Sequence, residues 1–543
     1  MEKKRSTDTP LKSEKSGVVK SKLEQLQLEK VIGITSNTEN QMCVNPVNGD
    51  VAYLAGCFVV IYGPTQNKQL AHLQSRTMRP FQSVTFSKDG QYLAAGENAF
   101  QKPEVIIWDV KYEQEGKKTT YTTLKYLKGH KYGVEALRFS PDNRFLVSLG
   151  DADDRGLFLW NWREEKKLSQ NKLSRPVLSV AFSENQDFFV TAGHQHLKFW
   201  QMDDQGDPIL ITKANKTTWG NREANLEKVR YKVFVGVYIY QEHIYTITAD
   251  GFVYLFNKDP ELLKWMNIKV ERAFGCQVND GKLYCACADG IIRIFECTQL
   301  KHIITMAKPP PLGGSNLTGG TGSSKIKVET SMQAKYADVV CCLLDAKHHR
   351  VLALYSDRLF FIWDIAKFDK MKVYRTQMSH LGPVHDMQPI PNTLPIGIAD
   401  AQSTASQNEG LTKFLTCSSD RTIRFWNFID PTLDKRQSVE VSKCLQKNAY
   451  CKDLSSIFYV DQSQPDDDNC TPSSVGPYDH LKAPHLTRLE DGTPVPSDEH
   501  KKYFYSEMCN AIRCCRISPD GQEMACGDFY GNLRIYDLAA NKL

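Results

Sequence analysis

Residues 129–162 read GHKYGVEALRFSPDNRFLVSLGDADDRGLFLWNW. Val134, Ala136, Leu137 and Phe139 form an apolar run that ends in the turn Ser140-Pro141-Asp142. A second run, Phe145-Leu146-Val147-Ser148, leads into an acidic turn with Asp151, Asp153 and Asp154. A third run follows, Leu157-Phe158-Leu159-Trp160. Three short runs with turn signals between them predict an antiparallel meander.

A Gly129-His130 opening and a Trp160-Asn161 closing frame that meander. In this frame the stretch resembles a WD repeat, one blade of a β-propeller. The resemblance implies a hydrogen-bonded network joining a loop His, a strand Ser or Thr, a turn Asp and a strand Trp. Here those are His130, Ser148, Asp153 (with Asp154 as the alternative) and Trp160. A later copy supplies His380, Thr416, Asp420 and Trp426. Such a network satisfies polar groups that would otherwise be buried unpaired, so these residues read as structural.

Working outward, the pattern recurs nine times. Unit one, QMCVNPVNGDVAYLAGCFVVIYGP, has an Asn48-Gly49 hairpin turn and no Trp. Unit two closes on Trp108-Asp109, unit three is the stretch quoted above, and unit four closes on Trp200. His194 and His196 precede the last strand of unit four. With no Cys or carboxylate cluster beside them they read as a solvated turn, because a metal site needs three or four ligands. Units five and six replace the Trp with Phe256 and Phe295, each after an Asp-Gly turn. A Pro- and Gly-rich linker spans 309–324, and unit seven closes on Trp363-Asp364. Unit eight runs from Ser379-His380 to LTKFLTCSSDRTIRFWN, and unit nine ends at Asp537. Between them an insertion at about 430–507, with Asp466-Asp467-Asp468 and many Pro and Ser residues, reads as a surface excursion.

Propellers have about four to eight blades, so nine units do not suit one ring. The expected fold is all-β: one seven-bladed ring over 25–377 and a partial second propeller over 378–543. Residues 1–24 read as a disordered basic tail. Two blades alone expose an open sheet edge, which points to a longer tandem-propeller protein or to a partner that completes the ring.

The net charge of +5 is too small for a dedicated nucleic-acid surface. No run of about 18 apolar residues exists, so no helical membrane span is expected. The N-terminus lacks the apolar core of a signal peptide. Most of the 16 cysteines sit in strand-like runs, such as Cys285, Cys287, Cys341 and Cys342, where a thiol acts as a small apolar residue. A reduced, cytoplasmic setting is therefore expected. Neither a phosphate loop nor zinc spacing nor a Ser-His-Asp order stands out, so no catalytic, cofactor-binding or metal residue is assigned and an enzyme is not expected.

Specific wording extends the resemblance. LEKVIGIT, DVAYLAGCFVVIY, GHKYGV, SVAFSENQDFFVTAGHQHLKFW, DGIIRIF, FLTCSSDRTIRFWN and SPDGQEMACGDFYGNLRIYDL, in that order over about 28–540, look like the N-terminal half of the mitogen-activated protein kinase-binding protein family. That family includes a spindle-pole WD-repeat paralogue. A weaker likeness, in units one to four, is to the echinoderm microtubule-associated proteins. The resemblance implies a scaffold with protein partners: signalling kinases of the Jun N-terminal kinase pathway, or centrosome and spindle-pole components. The cytoskeletal alternative would place the chain at a centrosome, spindle pole or microtubule. In the family, the kinase-docking and oligomerising segments lie further along than this chain reaches. Within it, Lys20, Lys22, Leu26 and Leu28 form a candidate kinase-docking peptide; the competing reading has Leu26 to Ile34 starting the first strand. Oligomeric state is left open.

Overall fold

The computed structural model describes residues 28–112, 119–202, 208–210, 232–259, 261–309, 336–390, 411–429, 453–460, 512–529 and 531–537. Among them every regular element is a strand, apart from two 3-10 turns at Glu39–Gln41 and Phe368–Lys370. No helix among the described residues is long and apolar enough to cross a membrane.

The strands form nine antiparallel meanders in chain order. Sheet three consists of Val134–Phe139, Phe145–Gly150, Gly156–Asn161 and Lys166–Lys172. The first three are the runs read from the sequence. Its second strand is buried throughout, as are those of sheets one and four. The reason is that each of these three sheets is covered on both faces by its neighbours, so their central strands read as continuous apolar runs rather than alternations. Sheet eight gains its fourth strand, Leu454–Tyr459, from inside the insertion expected to be a surface excursion. That expectation is corrected there; residues 430–452 and 461–507 of the insertion, and 310–324 of the linker read at 309–324, lie outside the described residues. Sheet nine has three strands, Ile512–Ile517, Glu523–Asp528 and Leu533–Asp537.

Two local devices repeat. The turn between first and second strands is knotted by a serine: Ser140 Oγ donates to Asp142 (2.6 Å) and accepts the N–H of Phe145 (2.9 Å). Ser87 with Asp89 and Ser518 with Asp520 do the same in sheets two and nine. Where the third and fourth strands pair, a β-bulge falls at Tyr62, Trp108, Trp160, Phe256, Phe295, Trp363 and Trp426. A bulge re-aims the side chain at that point, here an aromatic one. Tyr62 is therefore the counterpart of the Trp missing from unit one.

The first strands of sheets one to seven touch in succession, and Val339–Asp345 of sheet seven also touches Met42–Val44 of sheet one. Hydrogen bonds span the same seam: Lys347 Nζ donates to the carbonyl of Val47 (2.6 Å) and Arg358 to that of Thr35 (2.8 Å). Sheets eight and nine touch each other through Val384–Ile390 and Ile512–Ile517. Trp426 and Leu454 of sheet eight share an apolar cluster with Trp363, Ile365 and Met378 of sheet seven.

Candidate functional site

In sheet three the network residues meet. Ser148 is fully buried; its hydroxyl accepts the indole N–H of Trp160 (2.8 Å) and lies 2.7 Å from Nε2 of His130. His130 Nδ1 meets a carboxylate oxygen of Asp154. Burial lowers the imidazole pKa despite Asp154, so the ring is neutral at pH 7. A neutral ring beside a carboxylate carries its proton on Nδ1, which leaves Nε2 to accept the Ser148 O–H. The carboxylate in the network is that of Asp154. Asp153 is exposed, and its own N–H donates to Asp151 (3.1 Å), which corrects the first of the two alternatives.

Sheet eight repeats the geometry. Thr416 Oγ1 accepts from Trp426 (2.8 Å) and contacts His380 Nε2 (2.8 Å), and His380 Nδ1 donates to Asp420 (3.0 Å). A third network escaped sequence reading. His196 is the first residue of its strand, not part of a solvated turn; it is buried, and Thr191 Oγ1 joins it to Trp200 (both 2.8 Å). Burial, with a smaller contribution from Lys198, pushes its pKa down to about 3. The Thr and Trp spacing in unit four could have revealed it, but its His comes from the strand and not from a preceding loop.

Ser148, His130 and Asp154 have the connectivity of a hydrolytic triad. A nucleophilic hydroxyl must reach substrate, whereas Ser148 is sealed in and holds an indole N–H. The arrangement fastens strands together. No group of three or more His, Cys, Asp or Glu side chains suited to a metal occurs among the described residues. Of the candidate docking peptide, Lys20, Lys22 and Leu26 lie outside the described residues. Leu28 is 50% exposed, and the first strand starts only at Met42, so the expectation of a strand from Leu26 to Ile34 is corrected.

A second polar constellation surrounds the turn Glu39–Gln41. Strands of sheets one, two, three and seven touch this turn. Asn40 Nδ2 donates to the carbonyl of Leu178 in sheet four (2.6 Å), and Gln277 of sheet six donates to the Glu39 carboxylate. Burial raises the Glu39 pKa from 4.5 to about 7, against the opposing pull of Arg138 and Gln277. Arg138 itself donates to the carbonyl of Val180 (3.3 Å). The segment leading in is fastened by Thr35 N–H to the Leu54 carbonyl (2.9 Å) and by Ser36 Oγ to that of Gln41 (2.9 Å). Nothing in the charged N-terminal sequence signals that the turn Glu39–Gln41 would meet six sheets.

The sign of the resulting pH dependence follows. Folded Glu39 holds its proton up to about pH 7, whereas the unfolded chain releases it near 4.5. Its stabilising contribution is full below pH 4.5 and is lost as pH rises through 7. Asp357 and Asp50, raised to about 7 and about 6, act in the same direction. Glu39→Gln should therefore leave stability near wild type at pH 5 and exceed it by about 1–3 kcal/mol at pH 8. Urea melts at the two pH values test this; an equal difference at both would refute it.

Comparison with known proteins agrees with this geometry. The WD domain, G-beta repeat family matches residues 121–161, 163–201 and 501–537. The chain is a WD-repeat β-propeller protein. More particularly, it is a homologue of WD repeat-containing protein 62 and of mitogen-activated protein kinase-binding protein 1. It is 30% identical to the former from Mus musculus over 95% of the chain, and 29% identical to the latter from Mus musculus over 98%. It spans only 30% and 32% of the lengths of those relatives, about a third rather than the half expected. A shorter match, 31% identical over 36% of the chain and 31% of the relative, is to cilia- and flagella-associated protein 52 of Sus scrofa.

Proposed function

We propose that the chain is a non-catalytic WD-repeat scaffold that binds proteins, in Jun N-terminal kinase signalling. The observation that carries this is the match to mitogen-activated protein kinase-binding protein 1 along 98% of the chain. The polar networks support the non-catalytic part, since their hydroxyls are buried and already bonded. Sheets one to seven, roughly residues 28–377, form one ring in this reading, and sheets eight and nine open a second. The cyclic succession of first-strand contacts supports that division.

Titrating the kinase tests the reading. Binding to this chain alone is expected to be weak and to run through residues 20–28. Changing Leu26 and Leu28 to Ala should abolish it while the melt stays unchanged. Tight binding that survives the change would overturn the assignment to this segment.

The second reading, a cytoskeletal adaptor at a centrosome, spindle pole or microtubule, is favoured by the match to a protein named for cilia and flagella. Co-sedimentation with microtubules at low and moderate salt separates the two, because a direct binder should pellet through a basic surface and release with salt.

A further inference from the structure

The strand that joins sheet one to sheet seven is the weakest member of its sheet. Met42–Val44 is only three residues long and forms three pairs with Val51–Ala55. On its other side it meets Val339–Asp345 of sheet seven. An acid stands at each end of it. Glu39 precedes the strand, and its Oε2 occupies the space where a Cβ on Gly275 of sheet six would be. Arg138 of sheet three and Gln277 of sheet six face this carboxyl. The Tyr238 hydroxyl and the thiols of Cys276, Cys341 and Cys342 complete its surroundings, and burial keeps all four neutral.

Asp50 follows the strand, at the end of the hairpin turn that lodges against sheet seven. The Asp345 carboxylate and the His348 ring stand 2.6 and 2.7 Å from where a Cβ on Gly49 would lie. His348 Nδ1 lies 2.8 Å from Asp345 Oδ2, and Asn48 donates to Asp50 (2.7 Å). From sheet two, the Tyr112 and Tyr121 hydroxyls face Asp50, and both are held neutral by burial. Asp50 and Asp345 are 5% and 3% exposed, so a charge on both at once is unfavourable. Burial, opposed by Asn48 and aided by the charge of Asp345, raises Asp50 from 3.8 to about 6, while Glu39 reaches about 7. Each acid gives stability that is complete below its unfolded value and is lost as pH rises through its folded one. Lys347 and Arg358 hold the same segment through the carbonyls of Val47 and Thr35, bonds in which neither acid takes part.

We propose that segment 35–50 is a pH-sensitive latch between sheets one and seven, seated while Glu39 and Asp50 carry protons and detaching, with Val339–Asp345 uncovered, as they ionise. Lifting this one segment returns both carboxylates to water. It breaks a three-residue strand and leaves the other sheets whole, so it is the low-cost opening.

Hydrogen exchange of the full chain at pH 5.5 and 8, read by mass spectrometry and corrected for the intrinsic rate, tests this. Between those values opening of 35–50 should rise by about ten-fold or more relative to Val134–Phe139 of sheet three. The double variant Glu39→Gln with Asp50→Asn should remove most of that rise. It should also exchange more slowly than the wild type at pH 8, a gain that loss of a structural contact does not give. Should the variant fail to fold, the wild-type ratio still decides. A ratio constant across the two pH values, or a double variant that opens as steeply as the wild type, would overturn the proposal.

Discussion

Trp160→Ala is expected to lower stability by about 3–5 kcal/mol, the range for truncating a large buried aromatic. Trp160 is 2% exposed and packs in one cluster with Val105, Ile107 and Leu127 of sheet two and with Leu137 and Phe158 of its own sheet. Its loss would open a void at the joint between two sheets and leave Ser148 without the indole donor. Phe offers a graded comparison. Phe256 and Phe295 already occupy the same bulge position in sheets five and six. Trp160→Phe keeps most of the apolar contact and gives up the hydrogen bond, so a loss of about 1–2 kcal/mol is expected. Urea melts, with hydrogen exchange across 134–172, would check both. An alanine variant that melts with the wild type would show that this joint is not a packed one.

The order of those two variants bears on what a sequence can reveal here. The inner three strands of most units were legible because double-sided burial demands runs such as Phe145-Leu146-Val147 and Leu157-Phe158-Leu159. Their fourth strands were not. Lys166–Lys172, KKLSQNK, is half-buried or exposed along its whole length, so no burial constraint writes a pattern into it. The aromatic position in unit one went unread because its occupant is Tyr62, and only the bulge in the paired strands identifies it.

Polar sites divide in the same way. Ser148 with Trp160 and Thr416 with Asp420 and Trp426 have spacing set by hairpin geometry, and the resemblance adds His130 and His380 from the preceding loops. Choosing between Asp153 and Asp154 required the turn itself, in which Asp151 accepts the N–H groups of both (3.1 and 2.9 Å) and Asp154 alone reaches the ring of His130. The Glu39–Gln41 turn depends on chain returning from sheets two, three, four, six and seven, a long-range condition that no local pattern records.

Asp420→Ala should be at least as damaging as loss of the tryptophan, about 3–5 kcal/mol, because it strips the acid from a buried charged cluster. Its carboxylate, with the side chain 2% exposed, accepts the N–H groups of Leu381 (2.9 Å) and Thr422 (3.0 Å), the Thr422 hydroxyl (2.6 Å) and His380 Nδ1 (3.0 Å). Arg424 Nη2 stands 3.7 Å away. Burial alone would raise the Asp420 pKa, but His380, Arg424 and Thr422 outweigh it and hold the carboxyl well below its usual 3.8. A carboxyl so depressed contributes stability that is present above pH 3.8 and is lost as pH falls towards its folded value. His380, lowered by burial, loses its contribution as pH falls below 6.5, so both groups weaken sheet eight in acid. In Asp420→Ala the carboxylate part of that acid dependence should vanish, and stability should already be low at pH 7. The location of the damage matters as much as its size. If sheets eight and nine belong to a second ring, hydrogen exchange should rise in the strands of those two sheets while the strands of sheets one to six stay protected. Even loss of protection over all nine sheets would mean that they unfold as one body and would refute the division at about residue 377. A melt at pH 7 indistinguishable from wild type would refute the cluster's energetic role.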